Sequence, residues 1–498
     1  MRLSIQELMA KSGVKFGTSG ARGLVADLTD LVGYAYTKAF LQYLQSAGEP
    51  LARGTEVAVA GDLRSSTDRI MGAVLCAAVD MGFAPVNCGK VPSPAVALYG
   101  LEKRVPAMMV TGSHIPDDRN GIKFNKCSGE ILKEDEPGIL RQVVDIPANL
   151  FDEKGMFLRP PAPLPVNVEA EQRYVARYLD CFPADALKGM RLGVYQHSAV
   201  GRELLVRIMR GLGAQVTPLG FSEKFIPVDT EAIRPEDARL AGEWARQHRF
   251  DAIVSADGDS DRPLLADERG NWLRGDVAGV LCAKFLGADS VSAPVSCNSA
   301  VEKCGWFKEV CRTRIGSPFV VASMLEASAR GAKCVVGYEA NGGFLLNSDT
   351  KIGSKFLRAL PTRDAVILLL SVLLLAKREG RTISQLAATL PARFTASGLL
   401  KNCPVERSRA ILAQFTTGDD ALDRQEIEKV FGAEFGKVQS IDRTDGTRVT
   451  FASGEILHLR PSGNAPEFRC YTEAASAERA TKMNSIGMAI IERLSHNN

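Results

Sequence analysis

The chain has 498 residues, 45% hydrophobic and 24% charged, which excludes a disordered or fibrous protein and, at roughly 100–200 residues per domain, is too long for one core. Sixty-one Lys and Arg against 58 Asp and Glu leave a formal charge of +3 with no dense basic block, so nucleic acid is not an expected partner. Eleven cysteines are scattered without a CxxC pair or a Cys/His cluster at zinc spacing, as in a reduced, cytoplasmic protein.

The first residues, MRLSIQELMAKSG, lack the apolar run of a signal peptide. Three later stretches share one order of amphipathic helix, glycine and short strand: 69–89, 201–220 and 318–337, with Gly82, Gly213 and Gly331 at the helix ends. They predict three α/β units. Each unit also contains an apolar strand that stops in a polar loop: Ala107–Val110 before TGSH, Ala252–Ser255 before ADGDSD, and Lys333–Val336 before GYEANGG. Ligands of open α/β sheets bind beyond the carboxyl ends of strands, so three domains can serve one cleft.

In the first loop Ser113 lacks the G-x-S-x-G elbow and the Asp/His relay of an acyl-transfer nucleophile. A serine that carries a phosphoryl group needs a cation and cationic side chains around it. DGDSDR (257–262) offers Asp257, Asp259 and Asp261 at alternate positions, oxygen ligands suited to a hard cation such as Mg²⁺. An EF-hand reading, with Glu268 at the twelfth position, fails on Arg262 at the sixth, where that loop needs glycine. Glu339 and Asn341 in the glycine-rich loop 337–344 can exchange hydrogen bonds with sugar hydroxyls. The run Ala365–Ala376 is far short of the ~20 residues that span a bilayer and reads as a helix buried on all sides, so no membrane partner is expected.

Beyond it, 439–473 alternates apolar and polar residues around Asp445-Gly446 and Ser453-Gly454, predicting antiparallel hairpins in a smaller α+β domain, flanked by helices over 421–430 and 477–494. There RPSGNAPEFR (460–469) gathers Arg460, Ser462, the Gly463 amide and Arg469, donors that fit a phosphate dianion.

Taken together, the four loops resemble those of the α-D-phosphohexomutases, from FGTSGARG (16–23) to RPSGNAPEFR, in the family's order and spacing. The resemblance implies an α/β fold of three similar domains, with mixed sheets sandwiched by helices, plus the smaller C-terminal α+β domain, around one central cleft. The expected bounds are 1–165, 166–275, 276–390 and 391–498. It implies that Ser113 is the phosphorylated serine, that Ser113, Asp257, Asp259 and Asp261 hold Mg²⁺, and that Arg22, His114 and Lys123 line the reaction centre. Arg262 follows the metal loop as in relatives, Glu339 and Asn341 read the sugar, and Arg460, Ser462, Gly463, Asn464 and Arg469 belong to the grip on the non-reacting phosphate. The implied activity interconverts hexose 1-phosphate and hexose 6-phosphate, mannose or glucose, through hexose 1,6-bisphosphate, in a monomer or homodimer. Glucosamine phosphate is the alternative sugar. A non-catalytic sugar-phosphate-binding protein and a Mg²⁺-dependent phosphatase are alternatives of other classes. Three loops depart from the family pattern: the first has Gly112 where alanine is commonest, with Ile115-Pro116 after the Ser-His pair; the sugar loop has Gly343 where many relatives carry histidine; and the phosphate loop has Asn464-Ala465 where Thr-Glu is common.

Overall fold

The structure, a computed structural model, describes residues 1–498 except 18, 463–465, 497 and 498. The described chain forms two compact units, one of residues 1–291 with 317–387 and one of 292–316 with 388–498. No helix among the described residues is long and apolar enough to cross a membrane.

The first unit begins with a mixed sheet in which Glu56–Gly61 lies parallel to both Ala84–Lys90 and Ala107–Val110. Arg119–Lys126 then runs antiparallel to Ala107–Val110, and Gly20–Leu24 antiparallel to Arg119–Lys126. This register sets Gly20 opposite Lys123 and Arg22 opposite Gly121, on adjacent strands. Helices Asp30–Ser46 and Thr67–Asp80 bury Tyr36, Phe40 and Val74 in the core with Phe124 of the sheet. A second sheet orders its strands Gln215–Phe221, Arg191–His197, Ala252–Ala256 and Pro263–Ala266, the first three parallel and the last antiparallel. A third hairpin pairs Val335–Tyr338 with Phe344–Leu346.

The three glycines expected to end helices all take left-handed backbone, Gly82 at φ 81°, Gly213 at φ 90° and Gly331 at φ 94°. A side chain there would strain the turn from helix to strand. The leucine-rich run forms the helix Ala365–Glu379, with Asp364 accepting from the Val366 amide at its N-terminus and all but one of residues 365–376 buried.

The second unit is built on an antiparallel sheet ordered Phe394–Lys401, Glu467–Ala474, Ile456–Pro461, Thr447–Phe451 and Val438–Asp442. Gly446 and Gly454 occupy the two turns at φ 79° and φ 78°, as the hairpin reading requires. The helices Asp420–Phe435 and Ala477–His496 fall where the alternation stops. Phe394–Lys401, just past the expected boundary between residues 390 and 391, is an edge strand bonded along its length to Glu467–Ala474. Residues 292–316 join this unit through Ser299, whose hydroxyl donates to Glu473 Oε1 at 2.5 Å, and through the Ile315 amide, which donates to Asp445 Oδ2 at 3.0 Å.

Candidate active site

Ser113 sits three residues past the end of the strand Ala107–Val110, at φ 54°, a backbone region costly for a residue with a Cβ. The loop around it is over-determined. Its amide donates to Thr111 Oγ1 at 2.7 Å, and that hydroxyl donates to Asp62 Oδ2 at 2.7 Å. The Arg64 guanidinium, paired with Asp62 at 3.1 Å, donates to the carbonyls of Ser113 (2.8 Å), Ile115 (2.6 Å), Pro116 (2.7 Å) and Arg119 (3.1 Å). Its other face lies 4.0 Å from the centre of the Phe225 ring. Gly112 is dictated by this arginine, because a Cβ there would lie 2.6 Å from Arg64 Cζ.

The Ser113 hydroxyl donates to Asp257 Oδ2 at 2.6 Å. Asp257 follows the strand Ala252–Ala256, and its Oδ1 accepts the amides of Asp261 and Arg262, both at 3.2 Å, which winds the acidic loop around one carboxylate. That loop joins two antiparallel strands, whereas an EF-hand loop joins helices. Glu268, its would-be twelfth residue, accepts from Thr382 Oγ1 at 3.0 Å and from the Ser384 hydroxyl instead.

Asp257, Asp259 and Asp261 are all buried and offer carboxylate oxygens within 4.8 Å of one another. Lys123 Nζ bridges Asp259 Oδ2 at 2.5 Å and Asp261 Oδ2 at 2.6 Å, and the Ser93 hydroxyl also donates to Asp259 Oδ2 at 2.5 Å. The Oδ1 atoms of Asp259 and Asp261 are buried without a hydrogen-bond partner. Buried anionic oxygens without donors are costly, and a hard cation is the partner whose chemistry fits them. Burial, with Asp259 and Asp261 beside it, drives the Asp257 carboxyl well above the usual carboxylate range. Burial works against Asp261 as well, but Arg363, Lys123 and Arg262 hold it far below that range.

Cations close the other side. Arg262 donates through one terminal nitrogen to His114 Nδ1 at 2.8 Å. Burial, reinforced by Arg262 and Arg22, lowers the His114 imidazole to about 2. The ring is therefore neutral, with Nδ1 as acceptor. Arg22 is brought down to about 10, by burial first and then by Arg262. Glu339 and Asn341 are both 5% exposed. Glu339 Oε2 accepts from Arg363 at 3.1 Å, and Asn341 Oδ1 accepts the Gly343 amide at 2.8 Å. Gly343 has no room for a side chain, since a Cβ would meet Arg363 Cδ at 2.5 Å.

In the second unit Arg460 pairs with Asp445 at 3.1 Å, Ser462 is buried and its amide donates to the Glu467 carbonyl at 2.8 Å, and Arg469 pairs with Glu467 at 3.3 Å. Gly463 and Asn464 lie outside the described residues. The first unit thus brings together Ser113, His114, Lys123, Arg22, the three aspartates, Arg262 and Glu339. Sequence reasoning missed Arg64, Ser93 and Arg363. The signal for one of them was present: Asp62-Leu63-Arg64 follows the buried strand Glu56–Gly61, the same kind of junction that marked the other loops, whereas Arg363 stands before a helix.

Family models described as phosphoglucomutase/phosphomannomutase alpha/beta/alpha domains I, II and III match residues 13–149, 172–270 and 274–394, and the C-terminal domain model matches 400–485. A phosphomannomutase of Salmonella muenchen is 44% identical over 95% of this chain and 95% of its own. One of Sinorhizobium fredii is 42% identical over 96% of this chain and 99% of its own. A phosphoglucosamine mutase of Clostridium beijerinckii is only 25% identical, over 95% and 97%. Among solved structures, a phosphoglucomutase/phosphomannomutase family protein of Burkholderia thailandensis superposes with a TM-score of 0.72 at 20% identity, covering 96% of each chain, which extends the likeness in fold.

Proposed function

Since the chain belongs to the phosphoglucomutase/phosphomannomutase family and is a phosphohexomutase, we propose that it interconverts hexose 1-phosphate and hexose 6-phosphate, with mannose phosphate foremost and Ser113 as phosphoryl carrier. One observation carries the reading: a serine hydroxyl on a strained, rigidly held loop points at a carboxylate 2.6 Å away, beside two further buried aspartates that each have an oxygen without a hydrogen bond. The preference for mannose rests on relatives at 44% and 42% identity named phosphomannomutases, against 25% for the phosphoglucosamine mutase.

Asp257, Asp259 and Asp261 are the residues that would hold Mg²⁺, together with an oxygen on Ser113. When bound, the ion supplies positive charge against the phosphoryl oxygens as they move between two acceptors. Ser113, entering the cycle phosphorylated, gives its phosphoryl group to the free 6-hydroxyl of hexose 1-phosphate. The bond from phosphorus to the serine oxygen breaks, a bond to the sugar oxygen forms, and the proton lost by the sugar hydroxyl is balanced by the one taken up at Ser113 Oγ. The hexose 1,6-bisphosphate so formed turns end for end and returns its 1-phosphoryl group to Ser113, releasing hexose 6-phosphate. Arg22 and Arg262 face the negative charge that develops on the moving group. Lys123, with its ammonium shared between two carboxylates, serves as a fixed charge. His114 accepts from Arg262 and holds that guanidinium in place. Glu339 and Asn341 read sugar hydroxyls. Arg460, Ser462, Gly463, Asn464 and Arg469 form the grip on the phosphate that is not reacting.

The test is conversion of mannose 1-phosphate and glucose 1-phosphate to their 6-phosphates, with Mg²⁺ and a trace of glucose 1,6-bisphosphate, by the wild type and by Ser113→Ala. The reading expects faster turnover of the mannose ester and none in the variant. Stoichiometric release of inorganic phosphate would convict a phosphatase instead, and absence of conversion of either ester would leave glucosamine phosphate as the sugar and, failing that, the non-catalytic reading.

A further inference from the structure

Arg363 stands two residues before the helix Ala365–Glu379, next to its N-terminal cap Asp364, and its side chain is 3% exposed. Its Nε donates to Asp261 Oδ2 at 3.1 Å, and one of its terminal nitrogens donates to Glu339 Oε2 at 3.1 Å. The two carboxylates belong to different loops, one after the strand Ala252–Ala256 and one after Val335–Tyr338, so a single guanidinium ties the loops together. The backbone that carries it is pinned on both sides. Thr362 Oγ1 donates to Glu130 Oε1 at 2.6 Å, the Asp364 amide donates to the Phe344 carbonyl at 2.9 Å, and the buried Asp364 carboxylate accepts the hydroxyls of Tyr174 and Tyr178. The stem of the arginine fills the space beside Gly343, where a Cβ would approach Cδ to 2.5 Å.

We propose that Arg363 is a positioning residue that fixes the sugar-reading carboxylate of Glu339 relative to the acidic loop, so that sugar affinity depends on a fork acting through Glu339. Three features support it: burial that removes competing water, two donors aimed at two acceptors, and a glycine that keeps the stem in place. The planar fork matters, because a lysine carries one compact charge and cannot reproduce donors on two edges. The proposal rests on the reading of Glu339 as a sugar ligand given above.

The experiment is calorimetric binding of mannose 6-phosphate and glucose 6-phosphate, in Mg²⁺ buffer, to the wild type, Arg363→Lys, Glu339→Gln, the double variant and Gly343→Ala, with a melting curve for each. Loss of a buried charged hydrogen bond predicts binding weaker by about tenfold or more for Arg363→Lys. Glu339→Gln should weaken binding comparably, and the double variant should be little weaker than Glu339→Gln alone, because both changes remove one interaction. Gly343→Ala, which displaces the arginine stem without altering any charge, should weaken binding too, and it carries the test if Arg363→Lys fails to fold. Wild-type affinity in Arg363→Lys or Gly343→Ala, or a double variant whose loss is the product of the two single losses, overturns the inference while leaving the sugar phosphate reading intact. A wild type that binds neither ester overturns both.

Discussion

Ser113 Oγ donates to Asp257 Oδ2 across 2.6 Å although 144 positions separate the two residues in the chain. The contact places the hydroxyl that would carry phosphate against the first of three clustered aspartates. Asp257→Asn keeps the shape and an acceptor but cannot become the anion that a bound Mg²⁺ would call for. It is expected to raise the Mg²⁺ concentration for half-maximal turnover by more than about tenfold, since even outer-sphere changes cost 10–100-fold. A metal titration of activity measures it, and an unchanged midpoint would remove Asp257 from the metal site.

Binding of the ion should also stabilise the protein, because it relieves mutual repulsion in a buried acidic loop. At a hundredfold excess over its dissociation constant, a ligand that binds only the folded state adds about 2.7 kcal/mol. Thermal melts with chelator and with Mg²⁺ are expected to differ accordingly in the wild type. Asp259→Asn, lacking one of the two unpartnered oxygens' charges, should show a smaller difference.

Gly112→Ala sets a methyl group 2.6 Å from Arg64 Cζ, against a guanidinium that already bonds four backbone carbonyls. Overpacking of this kind costs about 1–3 kcal/mol. The expected outcome is a lowered melting temperature together with slower turnover, as the serine loop shifts. Normal turnover in the variant would show that Arg64 can move without disturbing Ser113.

Acid should weaken the fold through buried imidazoles. His197 donates through Nε2 to the Ala256 carbonyl at 2.7 Å, its Nδ1 has no partner, and burial lowers it from 6.5 to about 4. Above pH 6.5 both folded and unfolded chains hold it neutral. As pH falls from 6.5 to 4 the unfolded chain takes up a proton that the folded one refuses, so stability is lost over that window, by about 3 kcal/mol in order of magnitude. His458, lowered to about 4 by burial, acts in the same direction in the second unit. Denaturant melts at pH 7 and pH 5 should separate the wild type from His197→Asn, whose stability should fall less on acidification.

What the sequence made legible was local. Ser113, the aspartates at 257, 259 and 261, and Glu339 each stand in a short polar loop directly after an apolar strand, and the structure puts them at such junctions. Gly82, Gly213 and Gly331 announced the helix ends, because left-handed backbone has a residue signature. What stayed hidden was pairing over distance. Arg64 serves Ser113 from 49 positions away, Arg363 serves Asp261 from 102, and Ser93 serves Asp259 from 166. Nothing in the neighbourhood of an isolated arginine or serine states which loop it will meet. Phe394–Lys401 was missed as a strand for a related reason, since its partner Glu467–Ala474 follows only after most of the second unit. Gly112 and Gly343 looked like departures from the family pattern and are explained by the side chains of Arg64 and Arg363 that occupy their space.

The central claim is that Ser113 carries the phosphoryl group. Intact-mass and peptide mass spectrometry after incubation with glucose 1,6-bisphosphate and Mg²⁺, followed by a chase with mannose 1-phosphate, tests it most directly. The account predicts one phosphoryl group per chain, located on Ser113 and absent from Ser113→Ala; when that group is first loaded with heavy oxygen, the chase with unlabelled mannose 1-phosphate passes the label to sugar phosphate while an unlabelled group takes its place on Ser113. A chain that turns over mannose 1-phosphate while Ser113 remains unmodified, or that keeps the heavy-oxygen label on Ser113 through the chase, would contradict it.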